Sequence, residues 1–253
     1  MADNKLKIDV RRRKILETLR RDGKVLVSDL SRDLGVTLVT VRNDLDALEQ
    51  DGYLERMQGG AILKTPVVMS GWGNCSAEKQ AIAEAAARQI EDGSTLFVNS
   101  GTTTHCLAVA LKNHKNLNVV TNSLTIAMEL GGVPSIHALL LGGEINPQHA
   151  FTFGGDAQEQ LRHYQADWAV MSVDGISALA GATSFHPDEA VVNRIMIERA
   201  KNILIVADHT KIGRAGFAHL CDVRPSVHLI TDEKCNRAEV TAMEQLGLEV
   251  IIV

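Results

Sequence analysis

The 253-residue chain has no run of about eighteen apolar residues, which excludes a helix that crosses a membrane. Residues 1–14 are charged and lack an apolar centre, so no secretory leader is expected. The four cysteines, Cys75, Cys106, Cys221 and Cys235, lie far apart and form no C-x-x-C pair. That spacing argues against a zinc site and a disulfide framework, and predicts reduced thiols in a cytoplasmic protein. His105, His149, His186 and His209 show no i, i+4 pairing, so no metal is expected. No Walker lysine accompanies the glycine-threonine turn at Gly101, so a nucleoside triphosphate is not implied.

What is present is an ordinary globular composition, 45% hydrophobic and 23% charged, with net charge −5. The charge is unevenly divided. Residues 1–64 hold 13 of the 26 basic and 11 of the 31 acidic residues, leaving 13 and 20 for the remainder. A mildly basic head on an acidic body suits a nucleic-acid reader joined to something that should not touch nucleic acid.

The head reads as a winged helix-turn-helix over residues 1–64. Ile8, Ile15, Leu16 and Leu19 share a helical face that stops at Gly23. Val25, Leu26 and Val27 form a short strand. Ser28 is read as the N-cap of a helix ending at Gly35, and Thr37 as the cap of the next. In that second helix Leu38, Val41, Leu45 and Leu48 are the predicted buried stripe, and Gly52 closes it. Two extended runs around Gln58, Gly59 and Gly60 make the wing. A recognition helix so placed leaves Val39, Thr40, Arg42 and Asn43 facing outward. Arginine and asparagine suit bidentate contacts to guanine and adenine, and Val and Thr methyls suit thymine. Taken alone, Arg42 and Asn43 fit a solvated helix face better than a reading face. With the wing and caps, the predicted contacts to double-stranded DNA are Ser28, Thr37, Val39, Thr40, Arg42, Asn43, Arg56 and Gly59.

Residues 65–76, with Pro66 and Trp72, read as a linker. From residue 77 to 253 apolar strands alternate with helices, the pattern of a parallel α/β sheet covered on both faces. Ligands of such sheets bind beyond the carboxyl ends of the strands, and polar residues collect there. Asn99, Ser100, Gly101, Thr102, Thr103 and Thr104 sit at a strand-to-helix turn that can cradle a phosphate or can be a plain capped helix start. Asn122, Gly142, Gly143, Asp174 and Gly175 follow other strands. Lys211 can balance the phosphate charge, and Asp174 and Glu189 can hydrogen-bond sugar hydroxyls. Each of these alone also fits a cap or turn.

These residues carry a resemblance. Val36-Thr37, Thr40-Val41-Arg42-Asn43-Asp44-Leu45, Leu48-Glu49, Gly52, Arg56 and Gly59-Gly60-Ala61 resemble the DNA-binding domain of the DeoR family of bacterial transcriptional regulators. Glu78-Lys79, Ile82-Ala83, Ser100-Gly101-Thr102-Thr103, Val120-Thr121-Asn122-Ser123, Leu141-Gly142-Gly143, Asp174-Gly175-Ile176, Asp208-His209-Thr210-Lys211 and Ile230-Thr231-Asp232 resemble its sensor domain. The Arg-Asn-Asp-Leu run and the Asp-Glu-Ala after Pro187 look nearest to regulators of amino-sugar catabolism. The resemblance implies a repressor of a sugar-use operon, relieved or sometimes activated by a phosphorylated sugar. It implies a sensor similar in fold to ribose-5-phosphate isomerase and glucosamine-6-phosphate deaminase. Ser100 to Thr104 would then hold phosphate beside Lys211, with Asp174 and Glu189 toward the sugar. A homo-oligomer, dimer or tetramer, is expected, with no cofactor and no catalytic residue. The sequence departs from the family at Asn99, where most members have Asp, at Asn43, where most have a second Arg, and at Thr37, where Ser is usual. The competing reading is a sugar-phosphate isomerase or deaminase with an appended DNA-binding head, with Asp174 or Glu189 as its base.

Overall fold

A computed structural model describes residues 2–50, 53–63 and 75–253, the side chains of 2–9, 20, 50 and 63 excepted. The chain divides into two compact units, Met1–Val67 and Val68–Val253. The expected linker residues 65–74, Trp72, the Gly52 stop and the Ile8 side chain lie outside the described residues. Cys75 and Ser76, also assigned to the linker, belong to the start of the second unit.

The first unit runs α1 (Ala2–Asp22), β1 (Lys24–Leu26), α2 (Val27–Leu34), α3 (Leu38–Gln50), β2 (Leu54–Met57) and β3 (Gly60–Leu63). Ile15 and Leu19 of α1 are fully buried with Leu30, Val41, Leu45, Leu48 and Leu54, because their spacing puts them on facing stripes. Gly35 ends α2 in the left-handed region at φ 63°. Thr37 caps α3, its Oγ1 accepting from the Thr40 amide at 3.2 Å. The wing pairs with β1 in a three-stranded antiparallel sheet of order β1-β3-β2. Gly60 allows this, since a Cβ there would lie 2.0 Å from the Val25 carbonyl oxygen.

Two expectations are corrected here. Helix α2 begins at Val27, with Leu26 at the N-cap position and no side-chain cap, so Ser28 is a first-turn residue and not the cap. Leu38 is 45% exposed. It stands at the start of α3, outside the buried stripe of Val41, Leu45 and Leu48.

In α3 the carboxylate of Asp44 is buried and gripped from α1. Arg11 donates to it from Nε and, at 3.0 Å, from a terminal nitrogen, and Arg12 Nε donates at 3.2 Å. An aspartate inside a helical core is sustained only by such pairing.

The second unit contains α4 (Ala77–Ala87), β4 (Thr95–Val98), α5 (Thr102–Leu111), β5 (Leu117–Thr121), α6 (Leu124–Gly131), β6 (Ile136–Leu140), β7 (Glu144–Asn146), β8 (Phe151–Phe153), α7 (Gly155–Arg162), β9 (Ala166–Met171), β10 (Gly175–Ser177), β11 (Gly181–Ser184), α8 (Pro187–Glu198), β12 (Ala200–Val206), a 3-10 turn (His209–Lys211), β13 (Ala218–Cys221), β14 (Val227–Thr231), α9 (Arg237–Glu244) and β15 (Glu249–Ile252). Seven strands form one parallel sheet of order β15-β14-β12-β9-β4-β5-β6. Side chains alternate between its faces. Leu96 and Val98 pack with Leu107, Leu111 and Ile126 on the α4–α6 side. Phe97 packs with Leu161, Met171 and Met196 on the other. Two smaller antiparallel sheets, β7-β8 and β10-β11-β13, stand beside it. Among the described residues no helix is long and apolar enough to cross a membrane.

The cysteine expectation is also corrected. Cys221 and Cys235 are free, but Cys75 and Cys106 are joined in a disulfide across 31 residues. The fold brings them together by laying the start of α4 along α5, a pairing that linear spacing does not reveal.

Candidate functional site

The first unit presents the amino-terminal part of α3. Val39, Arg42 and Asn43 are exposed, Val39 at 61%. Thr40 is half-buried, its hydroxyl bonded to Thr37 Oγ1 at 2.9 Å. Leu38, missed by the sequence reading, adds an apolar patch beside Val39. Such a patch suits thymine methyls. Ser28 is exposed on α2, and Gly59 turns the wing at φ 79°. Arg56 is placed differently from a free DNA ligand. Its Nε donates to the Gly60 carbonyl at 3.2 Å, and one terminal nitrogen reaches the Asp46 carboxylate and the Arg42 carbonyl. It struts the wing against α3.

In the second unit, an all-parallel sheet puts every strand's carboxyl end on one edge. There β4 delivers Ser100 and Gly101, β5 delivers Asn122, β9 delivers Asp174, β12 delivers Asp208 and β14 delivers Asp232. Gly101 is the N-cap of α5, and a Cβ on it would meet the Ser172 side chain at 2.4 Å, so only glycine lets this turn close on β9. Thr102 is exposed and Thr103 buried in the first turn of α5, where amides lack helical partners and the helix end is partly positive. Thr104 Oγ1 instead donates to the Gly101 carbonyl at 3.1 Å, which fixes the turn.

A cation that the sequence reading missed completes this corner. Lys79, in the first turn of α4, places Nζ 2.9 Å from Thr102 Oγ1 and 3.8 Å from Asp208 Oδ2. Its only sequence signal is the Glu78-Lys79 pair opening an otherwise amphipathic helix. Lys211, expected in this role, ends the 3-10 turn with its amide bonded to the Asp208 carbonyl at 2.9 Å.

Carboxyl groups stand against this cradle at the same edge of the sheet. Glu189, buried in the first turn of α8, accepts from Ser100 Oγ at 2.5 Å. Burial pushes its carboxyl up to about 8; the Ser100 bond opposes this, the Asp174 charge adds to it, and a bond to Asn122 opposes it again. Near neutrality Glu189 is thus largely a neutral acid with a proton to donate. Asp174 Oδ2 accepts from the Phe185 amide at 2.7 Å and Ser184 Oγ at 3.1 Å. Asn122 is fully buried, and among the described residues its Oδ1 finds no hydrogen-bond partner. An orphaned buried acceptor beside the strand ends is a place for a ligand hydroxyl or amine to donate. His149, Phe151 and His186 cluster beside the start of α8, the two imidazoles tilted with centroids 4.3 Å apart and Phe151 edge-on to His186.

Other predicted residues serve the scaffold. The Asn99 side chain bridges to the end of β9: its Nδ2 donates to the Ser172 carbonyl at 2.9 Å and its Oδ1 accepts from the Ser172 amide at 2.8 Å. An aspartate could not make the first of these bonds. Gly142 donates its amide to Gln160 Oε1 at 2.9 Å, Gly143 leads on to β7, and Gly175 opens β10.

Comparison with known proteins matches both units. Residues 11–67 match the family described as DeoR-like helix-turn-helix domain, and residues 74–233 the DeoR C terminal sensor domain. The chain is 33% identical over 250 residues to a putative aga operon transcriptional repressor of Escherichia coli O157:H7, covering 96% of this chain and 93% of that one. It is 33% identical to the transcriptional repressor GlcR of Bacillus subtilis (94% and 93% covered). It is 31% identical to the glycerol-3-phosphate regulon repressor of Escherichia coli K12 (86% and 88% covered). Among solved structures, a probable sor operon regulator from Shigella flexneri aligns with TM-score 0.42 at 11% identity, covering 69% and 89%. Ribose 5-phosphate isomerase from Methanocaldococcus jannaschii aligns with TM-score 0.38 at 16% identity, covering 53% and 52%.

Proposed function

The chain belongs to the DeoR family in both of its units, and from that premise we propose that it represses a carbohydrate-utilisation operon in the cytoplasm under the control of a phosphorylated sugar. The observation that carries the effector reading is the juxtaposition of two kinds of polar group at one sheet edge. The first-turn amides of α5, Thr102 and the Lys79 ammonium offer a cradle for a dianion. Beside them, joined through the Ser100–Glu189 bond, the neutral Glu189 acid, the Asp174 carboxylate and the orphaned Asn122 oxygen suit sugar hydroxyls. A phosphate ester of a sugar matches both.

In this reading two or more copies set their α3 helices in half-sites about one DNA turn apart. The effector shifts operator occupancy tenfold if it favours one state by roughly 1.4 kcal/mol. The chain performs no turnover of its own; its cleft senses. A thermal-shift screen against sugar phosphates and their unphosphorylated parents tests this. A ligand at 100 times its Kd stabilises by about 2.7 kcal/mol, and selective stabilisation by one phosphate ester is expected. No shift from any of them would remove the effector reading, and release of an isomerised or deaminated product would replace it with an enzyme.

Two substitutions separate the units. Arg42→Ala should weaken binding to operator DNA by about 1–3 kcal/mol and relax base preference; unchanged affinity and preference would reject α3 as the reader. Lys79→Met removes a charged hydrogen-bond donor worth about 1.5–3 kcal/mol. Calorimetry should then show roughly ten- to a hundredfold weaker effector binding, with the operator affinity of the ligand-free protein unchanged.

A further inference from the structure

Cysteine chemistry is unequally placed in this chain. Burial pushes the Cys221 thiol up to about 11 and raises that of Cys235, so neither offers thiolate near neutrality. Cys75 and Cys106 are instead bonded to each other. Both line an open groove of about 1280 Å³ between α4, α5 and α6, which also holds Arg88, His105 and His114. Cys75 is half-buried and Cys106 buried, so Cys75 is the sulfur an external reagent meets first.

The bond lies four residues from the anion cradle along the chain on both sides. Cys75 lies four residues before Lys79, and Cys106 four after Thr102 on α5. Lys79 and Thr102 are hydrogen-bonded at 2.9 Å across the starts of these helices, which also pack through Ile82, Ala83 and Leu107. In a reducing cytoplasm, disulfides that form are mostly transient and redox-sensing. We infer that Cys75 and Cys106 are a reversible redox couple that locks α4 to the start of α5 when oxidised and loosens the Lys79–Thr102 corner when reduced.

A hydroperoxide supplies the oxidant. The Cys75 thiolate attacks the peroxide oxygen, the O–O bond breaks, and water or an alcohol leaves, giving a sulfenic acid. The Cys106 sulfur then attacks the Cys75 sulfur and displaces water. The two thiols lose two electrons and two protons in all. An external dithiol returns both by exchange and departs as its own disulfide.

The couple and the helix locking stand on the geometry alone; only their effect on anion affinity rests on the cradle reading. The test takes the full chain, reduced with dithiothreitol or oxidised with hydrogen peroxide. Differential alkylation with mass spectrometry reads the bond, hydrogen exchange reads the amides of residues 102–106, and calorimetry with inorganic phosphate reads the cradle. The bond is expected to form and reverse, with exchange at least tenfold slower in the oxidised form and phosphate bound about tenfold tighter. Cys75→Ser should behave as the reduced form whatever the oxidant. Both cysteines remaining alkylatable after peroxide, or equal exchange in the two states, overturns the couple. Absence of phosphate binding in both states, with the exchange difference present, overturns the cradle reading and upholds the couple.

Discussion

Glu189→Gln is expected to stabilise the second unit by roughly 4–5 kcal/mol above pH 8 and to change little near pH 4. The carboxyl titrates near 4.5 when exposed and at about 8 in the fold. Between those values the native state holds a proton that the unfolded chain releases. Stability contributed by the neutral acid is therefore fully present below about pH 4.5 and is lost as pH rises through about 8, at about 1.4 kcal/mol per pH unit. Glutamine keeps an acceptor for Ser100 Oγ and is neutral at every pH. Urea unfolding of both proteins from pH 4 to 9 isolates the term, since other titrations cancel in the difference. Parallel curves would show that Glu189 is ionised in the fold. The same proton matters for recognition, because the neutral acid can donate to a sugar oxygen where a carboxylate would only accept.

The other large effect falls on the first unit. Asp44→Ala leaves Arg11 and Arg12, each 16% exposed, without the buried carboxylate they share. Removing one partner of a buried ion pair costs about 3–5 kcal/mol, and the residual exposure of the arginines puts the expectation near the lower end. Hydrogen exchange of the α1 and α3 amides should report it, with operator binding lost in step. Combining Asp44→Ala with Arg11→Ala should cost well under the two separate effects added together. A loss under about 1 kcal/mol would mean that water satisfies both guanidinium groups.

Much of this architecture was legible because its signals are periodic. The stripe Val41, Leu45, Leu48 and the continuous apolar runs of β4, β5, β12 and β14 could mean little other than a helix face and buried parallel strands. The strand-end reading led to Ser100, Thr102, Asn122, Asp174 and Glu189, which the fold does gather at one edge. What escaped has short or ambiguous signals. The strands β7, β8, β10 and β11 are three or four residues long, and α7 begins on glycine without a side-chain cap. Lys79 lies on a helix whose face the sheet order decides. Asn99 looked like a ligand group because its bonds run to Ser172, 73 residues away. The disulfide joins cysteines whose pairing only the docking of α4 on α5 determines.

A nascent chain meets the sheet order as a delay. The first unit is complete once β3 pairs with β1, within the first 63 residues. The second has β9 between β4 and β12, so its middle cannot close until Val206 has been made, and its cleft waits for Glu189 and Asp208. At synthesis rates of about 5–20 residues per second, that interval is on the order of ten seconds. Throughout it, the growing chain is a DNA-binding head still tethered to its ribosome, with no pocket through which an effector can address it.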